Sequence, residues 1–408
     1  MGSISAAAIL ILAGHLLDPR SGNVLSPAAV LVEDGRIKEV AQHIAAPNAE
    51  TIDLGSATLL PGLIDCHTHL LLNVKVPSDA EVNDRYNGKF APDLLLAIVE
   101  SPSKRVLLGA QKAREDLESG FTTVRNLGHS GIEGNTALRD AINAGQIVGP
   151  RILASGRKIA QRGDYVQNLN PALADAILRQ EFLSVNGVDS ARQAVYENLL
   201  YAVDVIKMAI DDGNITADEV KTIVEEAHKQ HLKVAAHAVD ALSIQNAIDG
   251  GVDSIEHGNF ATDDELKQMR DKGIWFDFTP TTYGGVIKAF PPTEKSRQRY
   301  NALVQRVLKS GVRFAAGSDM CWYVAGKTSG EATAAIFASL HDTGMSALDV
   351  IRAITSNAAE MLGWQDRIGS IEPGKFADII AVPGDPLADI HQIEHVTFVM
   401  KGGQVVKK

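Results

Sequence analysis

The sequence predicts an α/β protein, a (β/α)8 TIM barrel with a small β-sandwich domain built from both chain termini. Two observations lead to this fold. The middle of the 408-residue chain alternates short apolar runs with amphipathic stretches, which is the pattern of parallel strands and helices. Both ends carry hairpin patterns instead. We therefore expect a composite β domain from residues 1–57 and 366–408, and a (β/α)8 barrel domain from residues 58–365.

The terminal β regions contain recognisable hairpins. Residues 30–40 form two alternating apolar runs joined by Asp34-Gly35, a pair that favours the tight turn between antiparallel strands. Near the other end, a strand is expected over residues 378–382 and a second hairpin over residues 396–406. The two ends therefore resemble each other and differ from the middle.

The central region contains eight short apolar runs that read as strands. Amphipathic stretches such as residues 217–228 separate them, with apolar residues at helical spacing. An open, doubly wound sheet is the alternative architecture. The predicted strands are Gly62–Cys66, Thr122–Leu127, Arg151–Ser155, Asp204–Ile210, Lys233–Ala238, Asp253–Glu256, Ile274–Thr279 and Arg313–Gly317.

Composition and charge exclude several function classes. The net charge of -11 and the absence of a basic stripe argue against a nucleic-acid partner. No apolar run approaches the length of a membrane span, and the run at residues 6–13 is interpreted as a first strand, with a leader peptide as the alternative. Only Cys66 and Cys321 are present, so we expect a reducing, cytoplasmic location without a disulfide framework.

Side chains that can bind a metal stand at the C-terminal ends of five predicted strands. In barrels the chemistry collects at this face, and the imidazole group is the commonest side-chain metal ligand. The residues are His67 and His69 after the first strand, Lys207 within the fourth, His237 at the fifth, His257 at the sixth and Asp319 after the eighth.

Each of these groups also has an ordinary structural interpretation. The histidines could be hydrogen-bonded core residues, Lys207 could extend to solvent, and Asp319 could cap the helix after the eighth strand. Groups of this kind at five independent strand ends, all on one face, are not expected by chance. The joint pattern therefore favours a metal site.

These motifs, in this order, resemble those of the metal-dependent amidohydrolase superfamily. The resemblance spans almost the whole chain. The matching segments are Pro61-Gly-Leu-Ile-Asp-Cys-His67-Thr-His69, Ile206-Lys207, His237, Ile255-Glu-His257-Gly258, Gly317-Ser-Asp319 and the closing segment from Gly369 to Ile380.

The resemblance implies two divalent ions, with zinc as the first expectation for such ligands. His67, His69 and Asp319 would bind one ion, and His237 and His257 the other. Lys207 would be carboxylated to N6-carboxylysine and bridge both. The ions would acidify a bridging water into hydroxide, and Asp319 would take up its proton and deliver it to the leaving nitrogen.

The same resemblance suggests a substrate class. The chain is similar to the binuclear Xaa-Pro dipeptidase and imidazolonepropionase-like group, which implies cleavage of the amide bond of a dipeptide or an N-acyl or aryl-acyl amino acid. The alternatives are a cyclic amide, a mycotoxin amide or a phosphotriester. A ligand-binding scaffold without catalysis belongs to a different class. Imidazolonepropionases are expected to use one ion and lack the bridging lysine, so Lys207 argues against that activity.

Residues near other strand ends are candidates for binding the substrate. Arg125 and His129 follow the second strand, Tyr165 follows the third, and Trp322 follows Asp319 in an aromatic loop. The opposing interpretation is that they are solvated loop or packing residues. Two long connections, 71–105 and 156–190, are candidate lids or contacts in a homo-oligomer.

Overall fold

The computed structural model describes residues 8–75, 96, 99–161, 166, 169–281, 283, 285–287 and 292–408. The strands within this part of the chain are β1 (Ile9–Ala13), β2 (His15–Leu17), β3 (Val24–Leu25), β4 (Ala28–Glu33), β5 (Arg36–Ala41), β6 (Glu50–Asp53), β7 (Thr58–Pro61), β8 (Leu63–Thr68), β9 (Phe121–Asn126), β10 (Arg151–Ala154), β11 (Lys158–Gln161), β12 (Phe182–Val185), β13 (Val205–Ile210), β14 (Lys233–Ala238), β15 (Ser254–His257), β16 (Trp275–Phe278), β17 (Phe314–Ala316), β18 (Ile379–Val382), β19 (Phe398–Lys401) and β20 (Gln404–Lys407).

Helices separate most of the central strands. Several begin with a side-chain cap and end at a glycine in the left-handed region, as the helix Asp263–Lys272 does with a capping box at Thr262 and Gly273 at its end. The helices are α1 (Pro102–Glu118), α2 (Gly134–Asn143), α3 (Pro171–Glu181), α4 (Val188–Leu199), α5 (Ala217–Lys229), α6 (Ala241–Gly250), α7 (Asp263–Lys272), α8 (Glu294–Ser310), α9 (Ser329–Ala338), α10 (Ala347–Ala353) and α11 (Ser356–Leu362).

The central strands form two parallel sheets. One has the order β10-β9-β8, and the other has the order β12-β11-β13-β14-β15-β16-β17. Two parallel bridges join the sheets: Thr68 of β8 pairs with Met320 after β17, and Ser155 after β10 pairs with Val205 of β13. All eight predicted strands are present, with ends that agree to within two residues. The α/β class and the parallel pairing predicted from the sequence are confirmed.

The connection at residues 156–190, a candidate lid or oligomer contact, has regular secondary structure that the sequence analysis did not predict. It contains the short strands β11 and β12 with helix α3 between them, and β11 pairs in parallel with both β12 and β13. These strands have only four residues each, which is too short for a periodic signal. Most of the other predicted lid, at residues 71–105, lies outside the described residues.

The two chain ends form two terminal sheets, one of which contains strands from both ends. The predicted hairpin at residues 30–40 is confirmed as β4 and β5, which lie in a sheet of order β5-β4-β1-β6. A second sheet has the order β20-β19-β18-β7-β2-β3 and so combines strands from both termini. Apolar side chains from both ends pack in one cluster, including Ile11, Val30, Leu59 and Phe398.

The parallel strands bring the predicted metal ligands to one end of the sheets. Strands β8 and β13 are buried at every residue, which reflects helices covering one face and neighbouring strands the other. The bridge from Thr68 to Met320 places the segments that follow β8 and β17 side by side. In the described part of the chain, no helix has both the length and the apolar character required to cross a membrane.

Candidate metal centre

All six predicted ligands line one cleft. Its volume is about 190 Å³, and it opens where the parallel strands end, as expected for an α/β protein of this type. The predicted ligands in its wall are His67, His69, Lys207, His237, His257 and Asp319.

His67, His69 and Asp319 form the tightest cluster. One ligand atom from each lies within 4.8 Å of the others, and Asp319 Oδ1 is 3.5 Å from His67 Nε2 and 3.1 Å from His69 Nε2. Asp319 has a φ of 52°, a strained conformation that a surrounding structure must hold in place. It does not cap the following helix, since Thr328 caps α9.

His237 and His257 form a second cluster beside the first. Their ring centroids are 4.4 Å apart, and the ring of His257 is 5.2 Å from that of His67. Nε2 of His237 lies 3.1 Å from Asp211 Oδ1, and Nδ1 of His257 lies 2.7 Å from Thr279 Oγ1. These contacts leave Nδ1 of His237 and Nε2 of His257 as the nitrogens that can bind an ion.

Lys207 is buried, with 1% of its surface exposed. Its Nζ has no hydrogen-bond partner among the described residues, so the side chain does not extend to solvent. Burial lowers the pKa of Lys207 to about 7, so much of the amine is neutral near neutral pH. A buried amine without a partner is costly, and its place in the cleft wall fits a group that becomes modified or bound.

A buried network lies beneath the first cluster. Glu256 is fully buried and lies 2.9 Å from His67 Nδ1 through Oε2 and 2.9 Å from the guanidinium of Arg125 through both oxygens. Burial raises the pKa of Glu256, but Arg125 and His67 outweigh this and hold it well below its usual range. A second group with the spacing of a metal site consists of His67, Glu256 and Asp277. In this group, however, the guanidinium of Arg125 already neutralises the carboxylate of Glu256.

Asp65 and Gly317 hold the first and eighth strands together below the ligands. Asp65 accepts hydrogen bonds from the backbone N–H groups of His67 and Ser318 and from the hydroxyl of Ser318. A Cβ at Gly317 would lie 2.2 Å from Cβ of His67. Glycine is therefore required where the two segments approach each other.

The environment sets the charge states of the ligands in the ion-free protein. Burial, with Lys207 nearby, lowers the pKa of His67 to about 3, so the imidazole is neutral, the form that binds metals. Burial raises the pKa of Asp319, but His67, His69 and His257 outweigh it and hold this pKa well below its usual range. The first cluster therefore presents a neutral imidazole at His67 and an ionised carboxylate at Asp319, which suits a divalent cation.

The predicted substrate-binding residues occupy different places. His129 and Trp322 line the cleft, and the ring of His129 is 5.1 Å from that of His69. Arg125 does not reach the cleft, because its guanidinium bonds Glu256 and the carbonyl of Cys66 in the interior. Tyr165 lies outside the described residues.

Two further polar residues at the site were missed in the sequence. Lys158, at the start of β11, lines the cleft with its Nζ 3.0 Å from His129 Nε2. Asp211 directly follows β13 and contacts His237. The strand-end rule that found the ligands could have found Asp211, whereas Lys158 was hidden because β11 itself was not recognised.

Comparison with known proteins identifies the family. The model of the amidohydrolase family matches residues 58–406. The chain belongs to the amidohydrolase family. It is therefore an enzyme of the hydrolase class that acts on carbon–nitrogen bonds, in a family that generally uses a binuclear metal centre.

Three relatives show how far the similarity of this amidohydrolase extends. Ochratoxinase from Aspergillus niger is 29% identical, over 100% of this chain and 88% of the relative; its crystal structure has a TM-score of 0.80 and covers 98% of this chain and 96% of its own. A Xaa-Pro dipeptidase structure with bound methionine has a TM-score of 0.81, 28% identity, and coverage of 98% and 100%. Imidazolonepropionase from Fusobacterium nucleatum subsp. nucleatum is 25% identical, over 91% and 88% of the two chains.

Proposed function

We propose that this amidohydrolase uses two divalent metal ions to cleave the amide bond of a dipeptide or of an N-acyl or aryl-acyl amino acid. The observation that carries the proposal is the cleft itself. Four imidazoles of the proposed ligands, a fifth from His129, one carboxylate and the buried amine of Lys207, which has no partner among the described residues, converge in it. Nitrogen and oxygen ligands of this kind suit zinc, which we propose as the metal.

The ligands divide into two groups. His67, His69 and Asp319 would hold one ion, and His237 and His257 would hold the second. Lys207 would bridge them as N6-carboxylysine, because a carbamate supplies two anionic oxygens where an ammonium would repel the ions. When bound, the two ions would supply an acidic water and a Lewis acid for the scissile carbonyl.

The protein's own residues would bind the substrate and move the proton. Asp319 faces the cleft through Oδ1, and we propose that it accepts the proton of the attacking water and then donates it to the leaving nitrogen. His129 and Trp322 line the same cleft and would contact the substrate, Trp322 through its ring. Arg125 would not contact the substrate, since its guanidinium is paired with the buried carboxylate of Glu256.

The substrate proposal draws on the relatives. A dipeptidase and an ochratoxinase are among them, and Trp322 gives the cleft an aromatic wall that fits an aryl-acyl group. Hydrolysis of a cyclic amide is the second candidate, because imidazolonepropionases also match nearly the whole chain. Lys207 favours the first candidate, since the bridging role expected of it belongs to the two-ion members.

The proposal also covers the fold, the oligomeric state and the location of the protein. We propose that the two parallel sheets close into a (β/α)8 barrel, which the bridges from β8 to the segment after β17 and from the end of β10 to β13 support. We also propose that the terminal sheets form a β-sandwich from residues 1–57 and 366–408, with β7 joining it across the boundary. A homo-oligomer in the cytoplasm remains part of the proposal, to be tested by sedimentation and by cell fractionation.

Metal analysis combined with a substrate screen tests the function. The purified protein should contain about two zinc ions per chain and hydrolyse some N-acyl amino acids or dipeptides, and chelation should abolish the activity until zinc is restored. His237→Asn should lose one ion, whereas His228→Asn, at a half-exposed histidine outside the cleft, should not. A folded protein with neither metal nor hydrolysis would contradict the proposal and favour a binding scaffold.

A further inference from the structure

A buried lysine outside the ligand set lies where two ligand-bearing segments meet. Lys112 is on helix α1 with 3% of its surface exposed. Its Nζ donates to three backbone carbonyl groups, at 2.7 Å to Leu72, 3.2 Å to His69 and 3.3 Å to Met320. An ammonium has three donors and no acceptor, so the three carbonyls match it fully.

These carbonyls belong to the two segments that carry the tightest ligand cluster. His69 is itself a proposed ligand, and Met320 follows Asp319 directly. Backbone hydrogen bonds also join the segments, among them His69 N–H to the carbonyl of Met320 at 3.3 Å and Asp319 N–H to the carbonyl of His67 at 2.6 Å. Lys112 adds three side-chain bonds to this backbone pairing, two of them at carbonyls of His69 and of the residue after Asp319, and it reaches the junction from outside the sheets.

The side chain of Lys112 points into the protein rather than to solvent, although burying a charge is costly. Lys104, on the same helix, is exposed and pairs with Glu100 at 2.8 Å. The inward-facing position of Lys112 is thus a specific feature of the helix face that packs on the ligand-bearing segments. Charge-assisted hydrogen bonds are stronger than neutral ones, which makes this contact a rigid one.

We propose that Lys112 is a positioning residue for the metal centre: it fixes the backbone at His69 and Met320 and so sets the separation of the His69 imidazole and the Asp319 carboxylate. That separation is 3.1 Å between Nε2 and Oδ1. The inference rests on the proposed two-metal site. Loss of Lys112 loosens the backbone of both segments. The distance between the His69 imidazole and the Asp319 carboxylate, which would hold the buried ion, then increases.

Titration of the metal-free protein with Co²⁺, followed by visible absorption, tests this role. Lys112→Met should raise the Kd of the ion at His67, His69 and Asp319 by about 10–100-fold, the usual effect of losing a partner that orients ligands. The Co²⁺ bands of that ion should also shift, and kcat should fall more than KM rises. Lys112→Gln, whose amide has two donors, should weaken binding less than Lys112→Met.

Lys375→Met is the matched control. Lys375 is also a buried lysine, with Nζ 3.4 Å from the carbonyl of Ile368 and 2.5 Å from Ser370 Oγ, but it lies away from the cleft. Its loss should lower the melting temperature without changing the Co²⁺ Kd or spectrum.

The outcomes separate this inference from the proposed function. Failure of the wild-type protein to bind Co²⁺ would overturn the metal centre and this role with it. Wild-type binding with an unchanged Kd and spectrum in Lys112→Met would overturn the role of Lys112 alone. If Lys112→Met does not fold, Lys112→Gln decides: a wild-type Kd in that folded variant overturns the inference, and a raised Kd supports it.

Discussion

Glu256 Oε2 lies 2.9 Å from Nδ1 of His67, and this contact fixes which nitrogen of the imidazole faces the cleft. The carboxylate is ionised and can only accept, so Nδ1 carries the proton and Nε2 is left with its lone pair toward Asp319. Glu256 directly precedes the proposed ligand His257 in β15. Glu256 thus orients His67 from another strand, while the neighbouring His257 belongs to the second cluster.

The carboxylates of Glu256 and Asp277 should respond differently to amide substitution. Burial and the nearby Glu256 raise the pKa of Asp277 well above its usual value, which favours the neutral form of Asp277. Asp277→Asn should therefore keep metal content and most activity. Glu256→Gln places a neutral amide where an ionised acceptor is needed and should lower metal affinity by about 10–100-fold. Equilibrium metal binding and kcat of the two variants provide the comparison, and equal losses in both would contradict this assignment of charge.

Asp319→Asn tests the proton-transfer role. The amide should preserve the fold and much of the metal, because His67 and His69 remain, but it cannot accept a proton. General acid–base catalysis contributes about 10²–10⁴-fold, so kcat should fall by that order. Metal content and melting temperature, measured on the same preparation, serve as controls. Turnover near the wild-type rate would contradict the role of Asp319.

Lys207→Ala tests the carbamate. The variant should be inactive and depleted in metal, and a short carboxylic acid added with zinc should restore part of the activity by supplying the bridging oxygens. Lys207→Met, whose long side chain fills the site, is the matched control and should not be rescued. Activity of Lys207→Ala without any added acid would remove the carbamate from the mechanism.

Trp322→Ala tests the aromatic wall of the cleft. Trp322 lines the cleft, whereas its neighbour Tyr323 is 47% exposed and does not. Loss of the indole should raise KM by about tenfold for aryl-acyl amino acids, roughly the free energy of one aromatic contact, with little change for acetyl substrates. Tyr323→Ala should leave both values unchanged. An equal rise in KM for both substrate types in Trp322→Ala would argue against a role in recognising the acyl group.

Gly317→Ala tests the close approach of the first and eighth strands. The added Cβ would meet the backbone and Cβ of His67 at 2.2–2.8 Å, so His67 must move away from Asp319. Overpacking of this kind costs about 1–3 kcal/mol in the free energy of unfolding. Both the melting temperature and metal affinity should fall. Gly326→Ala, where a Cβ would meet nothing within 4 Å but φ is 78°, should lower the melting temperature through backbone strain and leave metal affinity unchanged.

Much of the site was predictable because strand ends in an α/β fold converge. Each proposed ligand stands at or just after a short apolar run, and parallel strands bring such positions to a common edge. The sequence therefore identified His67, His69, Lys207, His237, His257 and Asp319 as neighbours, although they span some 250 positions of the chain. Their assignment as metal ligands stays a prediction until an ion is measured.

The environment of each side chain was not predictable in the same way. Arg125 follows the same strand-end pattern as the ligands, yet its side chain points into the interior and pairs with Glu256. Strand alternation depends on the exact residue at which the strand begins, and the sequence places that residue only approximately. Lys158 was missed for a related reason, because β11 is too short to give a periodic signal.

The alternation of strands and helices, the hairpins at both ends and the order of the ligands can be predicted from the sequence, since these depend on local periodicity and turn chemistry. The folded structure was needed to show that Lys112 and Arg125 face inward, that Glu256 selects the nitrogen of His67, and that Asp319 lies 3.1 Å from His69. Those relationships join residues far apart in the chain, and burial in the packed interior, rather than sequence spacing, fixes their charge and direction.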